Sequence, residues 1–218
     1  MNTPFFKIIK NVSQITLFLV TTFVASASAG EQKDPQLLLE KVTNTTFSRI
    51  EQEQQIIQSN PDHLRVIIEQ ELMPHIDYKF AAFKVLGKHF RSVPKARIPE
   101  FVEEFRQYLI SNFAVALASY GGQELIFEPV KYDDSAKSMT VKAIIREASR
   151  PDIHINFKLR KNKKTQEWKT YDLVAEGISL LSSKQSEFAP MIRQDGIQAV
   201  IDVMKQQNSE PLTVAVNR

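Results

Sequence analysis

The hydrophobic periodicity of the chain changes once, after Gly122, and this change constrains the fold more than any other feature. Upstream, apolar residues recur with helical spacing, most clearly between Pro99 and Tyr120. That stripe comprises Phe101, Phe105, Leu109, Phe113, Ala116 and Leu117. Downstream, apolar and polar residues alternate with the period of two that half-buried strands require. We therefore predict an α+β protein with a helical first half.

Start and stop signals divide the helical half into segments. Asp34-Pro35 is a cap followed by proline, and it begins a helix whose apolar positions continue to about residue 57. Asn60-Pro61 begins a second helix, which Pro74 ends because proline lacks the backbone N–H group. Asp77 caps a third helix that ends at Gly87. The segment from Pro99 to Tyr120 is the fourth.

The second half predicts four strands joined by short polar turns. They lie at Leu125 to Val130, at about 139–146, at about 153–160 and at Trp168 to Ala175. Helices follow at 183–193 and 195–206. Short turns favour an antiparallel meander with one apolar face, which the N- and C-terminal helices can cover. We expect a curved four-stranded sheet of NTF2-like appearance, with an apolar wedge between sheet and helices that can hold a ligand.

The first thirty residues have the three parts of a secretory signal peptide. Lys7 and Lys10 precede an apolar run from Ile15 to Val24, and Ala27-Ser28-Ala29 provides small residues for a peptidase. The run is about half the ~20 residues that a membrane span needs. We expect cleavage after Ala29, export to the periplasm, a single domain over residues 30–208 and a flexible tail over 209–218.

Charge and cysteine content narrow the functional classes. The chain has 28 basic and 25 acidic residues, and removing the leader would leave 26 against 25. Proteins that bind nucleic acid usually keep a strong basic excess in the folded domain, so this class is disfavoured. The absence of cysteine excludes disulfides and thiolate metal sites. An exported chain of this kind must be stabilised by its core alone.

The sequence has no strong catalytic motif. His63, His75, His89 and His154 do not have metal-ligand spacing, and there is neither a nucleophile elbow nor a glycine-rich phosphate loop. Asp172 and Glu176 are four residues apart and could in principle exchange protons, but helix caps or salt bridges explain them as well. We expect no enzyme activity, no metal and no cofactor.

A basic cluster lies at the third hairpin. It comprises Lys158, Arg160, Lys161, Lys163 and Lys164. A solvated turn explains such a cluster, and so does a surface that docks onto anionic lipid headgroups or an acidic partner.

A longer pattern resembles a known family. It includes the run from Trp168 to Leu180, then Lys184-Gln185-Ser186-Glu187-Phe188 and Asp195-Gly196-Ile197. Upstream the likeness continues through residues 60–65, Gln70 to Pro74 and Val85-Leu86-Gly87. The order and spacing are similar to those of the MlaC family, also called toluene-tolerance auxiliary proteins. One departure is Lys184-Gln185, where many members have Tyr-Arg.

The resemblance implies a function. MlaC proteins are periplasmic phospholipid carriers of Gram-negative bacteria. They move lipid between an outer-membrane complex of MlaA with its porin and the MlaD subunit of an inner-membrane ABC transporter, which helps to maintain outer-membrane lipid asymmetry. The resemblance thus implies a soluble monomer whose cargo is a phospholipid and whose partners are those two complexes.

A carrier of this kind must shield its cargo from water. Two acyl chains contain on the order of 30 methylenes, which at about 0.8 kcal/mol each would cost roughly 24 kcal/mol in water. We therefore expect an apolar cavity of ~1,000 Å³ with the headgroup at its mouth. The candidate lining residues are Met73, Ile76, Phe105, Leu109, Val141, Ala143, Ile145, Ile155, Phe157, Leu159, Tyr171 and Leu173. Ordinary core packing is the alternative explanation for each of them.

Two other classes fit the same pattern. A curved sheet under helices also occurs in enzymes of the ketosteroid-isomerase type, in which Asp172 would be the base that removes a proton. A periplasmic chaperone or adaptor is the other, and it would need an exposed groove.

Overall fold

The structure is a computed structural model that describes residues 34–147 and 150–212. The predicted leader and its cleavage site lie outside the described residues. So do positions 213–218 of the predicted tail. The chain remains attached to the helices beyond position 209, because Leu212 is buried and its N–H group donates to the Asp62 carboxylate over 3.3 Å.

The described helices follow the predicted order. They are α1 (Pro35–Gln52), α2 (Gln54–Ser59), α3 (His63–Ile67), α4 (Tyr78–Leu86), α5 (Ile98–Ala118), α6 (Leu180–Gln194) and α7 (Ile197–Ser209). A π-helical turn spans Ile68–Leu72, and 3-10 turns span Met73–His75, Gly87–Arg91 and Lys95–Arg97. Both predicted aspartate caps are present. Asp34 accepts from the N–H of Gln36 over 2.8 Å, and Asp77 accepts from the N–H of Phe80 over 3.2 Å.

The main differences from the predicted helix boundaries concern three helices. The first helix breaks at Glu53, and the second is divided into α3, a π-turn and a 3-10 turn before Ile76. Pro74 contributes to that division because it cannot donate the backbone hydrogen bond that a continuous helix needs. Helix α6 begins at Leu180, three residues early, since the Ser179 hydroxyl caps it by accepting from the N–H of Ser182 over 3.1 Å.

The sheet is an antiparallel meander of five strands in chain order. They are β1 (Glu124–Phe127), β2 (Ser138–Glu147), β3 (Arg150–Lys161), β4 (Trp168–Ala175) and β5 (Ile178–Ser179). The predicted α+β class is confirmed, but the strand number of four is wrong. Strand β5 has two residues, which pair with Val174 and Ala175, and a pair of residues is too short to show a period of two.

Irregular pairing bends the sheet where the helices approach it. Lys158 of β3 lies opposite Asp172, whereas the next residue, Leu159, lies opposite Thr170. Tyr171 is therefore an extra residue on β4, which is the arrangement of a β-bulge. A second irregularity separates Ile145 from Glu147 on β2. Bulges bend a strand and redirect its side chains, so they supply the predicted curvature.

The buried side chains form two separate clusters. We call the first the helical cluster, and its members lie on α1 to α7 and their connecting turns. We call the second the sheet cluster, and it comprises Leu38, Leu39, Val42, Val141, Leu159 and Trp168. Half-buried Leu72 packs against both clusters. A domain usually has one contiguous core with smaller clusters beside it, and we call the boundary between the two clusters the seam.

Candidate functional site

An apolar cavity lies at the seam. Its walls come from α1, from the turns at 72–76, from α4, α5, β3, β4 and from the start of α6. The lining residues are Leu39, Val42, Thr43, Leu72, His75, Ile76, Ala81, Leu109, Phe113, Phe157, Thr170, Tyr171, Asp172, Leu173, Leu180 and Leu181. Residues of both clusters thus face the same space.

The β-bulge explains why β4 contributes so much of the wall. In a regular strand, successive side chains point to opposite faces of the sheet. Here Thr170, Tyr171, Asp172 and Leu173 all reach the cavity. Leu173 lies opposite Phe157 of β3 on one side of the bulge, and Thr170 lies opposite Leu159 on the other side.

The cavity is much smaller than the sequence argument required. Its volume is about 100 Å³, whereas sites for drug-sized ligands usually have about 300–1,000 Å³. The expectation of ~1,000 Å³ is therefore wrong for this conformation. The physical reason is that the side chains of the two clusters approach each other across the seam, so most of the space between sheet and helices is filled.

Few polar contacts connect the two sides of the seam at the Ile76 end of the cavity. Ile76 forms an isolated parallel bridge with Thr170 of β4, and the N–H of Asp77 donates to the Thr170 carbonyl over 2.8 Å. On α4, the Phe80 ring packs edge to face against Tyr171, with 5.2 Å between ring centroids. These contacts join the two sides of the seam without a continuous hydrogen-bonded ladder.

The Asp172 carboxylate is occupied by structural contacts. It is 6% exposed, and it accepts from the Ser179 hydroxyl over 2.8 Å, from the Leu181 N–H over 3.2 Å and from the Lys158 ammonium over 3.2 Å. Two of these donors belong to the start of α6, where a negative charge is favoured by the helix dipole. A general base needs an oxygen available to a substrate proton, so this arrangement supports a structural role for Asp172.

His75 is the other titratable residue in the cavity wall. Burial lowers its pKa below the ordinary value of 6.5, and the nearby positive charge of Lys169 lowers it further, against smaller opposing effects of Glu167 and Glu71. Lowering the pKa favours the neutral imidazole, which suits an apolar wall.

Five of the twelve candidate lining residues reach the cavity, and seven do not. The five are Ile76, Leu109, Phe157, Tyr171 and Leu173. Met73 and Phe105 are buried in the helical cluster, and Val141 and Leu159 in the sheet cluster. Ala143 and Ile155 are buried as a cross-strand pair, and half-buried Ile145 lies opposite Ile153. None of these seven residues lines the cavity.

Eleven lining residues were absent from the sequence-based set. They are Leu39, Val42, Thr43, Leu72, His75, Ala81, Phe113, Thr170, Asp172, Leu180 and Leu181. The helical spacing of Leu39, Val42 and Phe113 was visible in the sequence, but spacing does not tell which partner a stripe faces. Thr170 and Asp172 depend on the bulge, which leaves no signal in the hydrophobic pattern.

The five basic residues of the third hairpin do not form one free patch. Lys158 pairs with Asp172, Lys161 with Asp134 over 3.5 Å, and Arg160 with Asp77 over 3.3 Å. Lys163 and Lys164 are exposed, and with Arg160 they line a second, open cleft of about 370 Å³ next to α4.

Neither a metal site nor a membrane span was found in the described structure. In residues 34–147 and 150–212, no three His, Asp or Glu side chains are grouped so that they could hold a metal ion. Over the same ranges, every helix is too short or too polar to cross a bilayer.

Comparison with known proteins gives a consistent assignment. The model of the family described as MlaC protein matches residues 40–206. The "Intermembrane phospholipid transport system binding protein MlaC" of Haemophilus influenzae is 30% identical over 200 residues, which cover 91% of this chain and 93% of that protein. A solved structure, the phospholipid-binding protein of Ralstonia solanacearum in complex with a phospholipid, superposes with a TM-score of 0.71 at 18% identity.

The structural match covers 81% of this chain and 97% of the Ralstonia protein, so the two share a fold. The family match covers most of the chain, and all the cavity-lining residues except Leu39 lie within it. Hence this chain belongs to the MlaC family.

Proposed function

We propose that this protein binds a phospholipid by taking its acyl chains into the seam. The observation that carries the proposal is the apolar cavity between two separate hydrophobic clusters. Ile76, Leu109, Phe157, Tyr171 and Leu173 would contact the acyl chains. The seven other candidate residues would support the wall from behind.

Loading requires the cavity to widen, because the acyl chains must be shielded from water. Leaving their methylenes exposed would cost ~24 kcal/mol. A volume of about 100 Å³ is less than the ~150 Å³ of an engineered cavity that holds one benzene molecule. We propose that the sheet moves away from the helical cluster along the seam. The two clusters can each stay packed during this motion, so it exposes less apolar surface than unfolding would.

The family relationship supports a role in transport. The Haemophilus relative is described as a binding protein of an intermembrane phospholipid transport system. We propose that this chain likewise works in the periplasm as a carrier, receiving lipid from one membrane complex and delivering it to the other. The partners would be an MlaA–porin complex and the MlaD subunit of an ABC transporter, and the result would be maintenance of lipid asymmetry.

Native mass spectrometry can test cargo binding. In protein purified from its own host, we expect bound phospholipid with the wild-type chain and less with Leu173→Trp, because the indole would fill the cavity. Ile153→Trp is the matched control, since Ile153 is exposed on the neighbouring strand. Equal lipid content in the two variants, with equal melting temperatures, would refute the assignment of the cavity.

An engineered disulfide can test the opening motion. The sequence contains no cysteine, so the two introduced cysteines cannot pair with a native one. Ile76 and Thr170 form a bridge across the seam, and paired segments lie ~4.8 Å apart, which is within disulfide reach. The oxidised Ile76→Cys/Thr170→Cys protein should exchange lipid with vesicles more slowly than its reduced form. The control pair, Lys142→Cys/Asn156→Cys, joins two strands within the sheet and should have no effect. Unchanged exchange in the locked protein would contradict opening at this bridge.

A further inference from the structure

One segment concentrates positive charge on a protein that is nearly neutral overall. Between positions 78 and 97 there are six basic residues and no acidic residue. They are Lys79, Lys84, Lys88, Arg91, Lys95 and Arg97, and all six are exposed. Arg97 pairs with Glu100 over 2.8 Å. Within the described ranges, the other five form no ion pair.

Two exposed aromatic rings lie among these charges. Phe83 of α4 and Phe90 of the following 3-10 turn are each 41% exposed, and their rings meet edge to face with 5.4 Å between centroids. The pair thus forms an apolar projection with lysines on both sides in the sequence. Large apolar groups that stay in water in this way often mark an interaction surface.

The second cleft extends the positive surface to the third hairpin. It lies between α4 and the turn after β3, and Lys79, Phe83, Lys163 and Lys164 are among its lining residues. Its acidic member, Asp77, is already paired with Arg160, whose guanidinium stacks 4.1 Å above the centre of the Phe80 ring. The cleft therefore offers lysine ammonium groups without a competing free carboxylate.

We propose that this basic-aromatic surface, residues 78–97 together with Lys163 and Lys164, docks onto the anionic headgroups of a lipid bilayer. Lysines beside the headgroups attract anionic lipids, and phenylalanine rings enter the boundary between headgroups and acyl chains. The structure brings both elements together in the cleft, where Lys79, Lys163 and Lys164 lie beside Phe83.

An acidic protein is the competing occupant, and the composition favours the bilayer. An acidic protein would have to pair the seven unpaired basic side chains of this surface one by one, whereas a bilayer supplies a continuous negative surface. Lysine is also depleted in protein interfaces, while arginine is enriched. Of the unpaired basic residues named here, Lys79, Lys84, Lys88, Lys95, Lys163 and Lys164 are lysines and Arg91 is the arginine.

The docking surface lies next to the cavity but does not depend on it. Phe80 connects the two, since it lines the cleft and packs against Tyr171 of the cavity wall. Docking could therefore bring the seam to a membrane. A chain that failed to carry phospholipid could still dock, so the two proposals can fail separately.

Vesicle co-sedimentation of the full-length chain tests the proposal. Vesicles of phosphatidylcholine measure the background, including any binding by the apolar N-terminal segment, and vesicles that also contain phosphatidylglycerol measure the dependence on anionic lipid. We expect tighter binding to the anionic vesicles, and we expect the increment to vanish when salt is raised from about 0.1 M to about 1 M, because the Debye length falls from ~10 Å to ~3 Å.

Matched variants locate the surface. Lys79→Gln/Lys84→Gln/Lys88→Gln should weaken anionic binding by roughly fivefold for each lysine that reaches the headgroups, up to about 100-fold. Lys41→Gln/Lys131→Gln/Lys142→Gln removes the same charge from exposed positions on other elements and should bind like wild type. Phe83→Ser/Phe90→Ser should weaken binding while keeping its salt dependence. All substituted positions are exposed, and unchanged melting curves would verify folding.

Several outcomes would overturn the proposal. Equal losses in the two lysine variants would show a nonspecific effect of net charge. A failure of anionic vesicles to bind, combined with saturable binding of an acidic protein that the first lysine variant abolishes, would assign the surface to a protein partner. Native mass spectrometry of the same variants should find unchanged phospholipid content, which separates docking from cargo binding.

Discussion

The helical cluster and the seam contain similar apolar residues but differ in how these residues are packed. In the helical cluster, Leu64, Phe101 and Phe188 are at most 1% exposed and belong to one continuous group of buried side chains. At the seam, Phe157, Tyr171 and Leu173 are half-buried around a cavity, and His75 and Asp172 share its wall. The first region is built for stability, and the second leaves space and polar groups where two packed bodies meet.

This difference is what the proposed opening of the seam requires of a small domain that must stay folded. Removing contacts from a close-packed region costs free energy at once, because the interior cannot relax fully. A seam with an existing cavity has fewer contacts to lose. A ligand that fills it can replace the contacts that opening breaks.

The largest expected effect comes from a matched pair of leucines. Leu64→Ala in the helical cluster should lower the free energy of unfolding by about 3–5 kcal/mol, whereas Leu173→Ala at the seam should lower it by about 1–2 kcal/mol. Urea denaturation of both variants measures the difference. Equal losses would mean that the seam is as tightly packed as the helical cluster, and the comparison would then fail.

A second expected effect concerns the hydrogen bonds that connect Asp172 of β4 to the start of α6. Asp172→Ala should lower the free energy of unfolding by about 2–3 kcal/mol, because it leaves the Lys158 ammonium, the Ser179 hydroxyl and the Leu181 N–H without their acceptor. Asp172→Asn retains an acceptor oxygen and should lose less. If Asp172→Ala instead melted like wild type but abolished a proton-transfer activity, the ketosteroid-isomerase alternative would be favoured.

A smaller effect is expected at Gly87, where the end of α4 meets α6. Gly87 has φ +50°, and an added Cβ would lie 1.9 Å from Nε2 of Gln185. Gly87→Ala should cost about 1–2 kcal/mol through backbone strain. The Gln185 amide ends a flexible side chain and can move away, so adding Gln185→Ala should not restore the melting temperature. Full rescue would show that the side-chain contact, and not the backbone, sets the cost.

The sequence was sufficient for features that depend on local patterns. The change of period after Gly122 predicted the order of helices and sheet, and the caps at Asp34 and Asp77 predicted two helix starts. The features it missed depend on contacts between distant segments. The bulge at Tyr171 results from the pairing of β3 with β4, and the division into two clusters depends on which way the α1 stripe faces.

The cavity size was mispredicted for the same reason. The hydrophobic pattern shows that Val141 and Leu159 point inward, but Val141 and Leu159 pack on Trp168 instead of facing the space. A count of inward residues therefore measures the total apolar interior. It cannot separate the part that is filled from the part that can open.

The smallest expected effect is a change in how the free energy of unfolding depends on pH, caused by His75 at the seam. Burial at the seam lowers the pKa of His75 below 6.5 in the folded chain. As pH falls below that value, the unfolded chain takes up a proton that the folded chain resists, so the stability contributed by the neutral imidazole is lost as pH falls toward the folded pKa. His75→Gln should show a shallower loss of stability between about pH 8 and about pH 5. At about pH 8, His75 is neutral in both the folded and the unfolded wild-type chain. The difference in stability between wild type and His75→Gln at that pH therefore reports packing alone. Parallel stability curves for wild type and variant would show that His75 is not desolvated, and the cavity wall at that point would then be open to water.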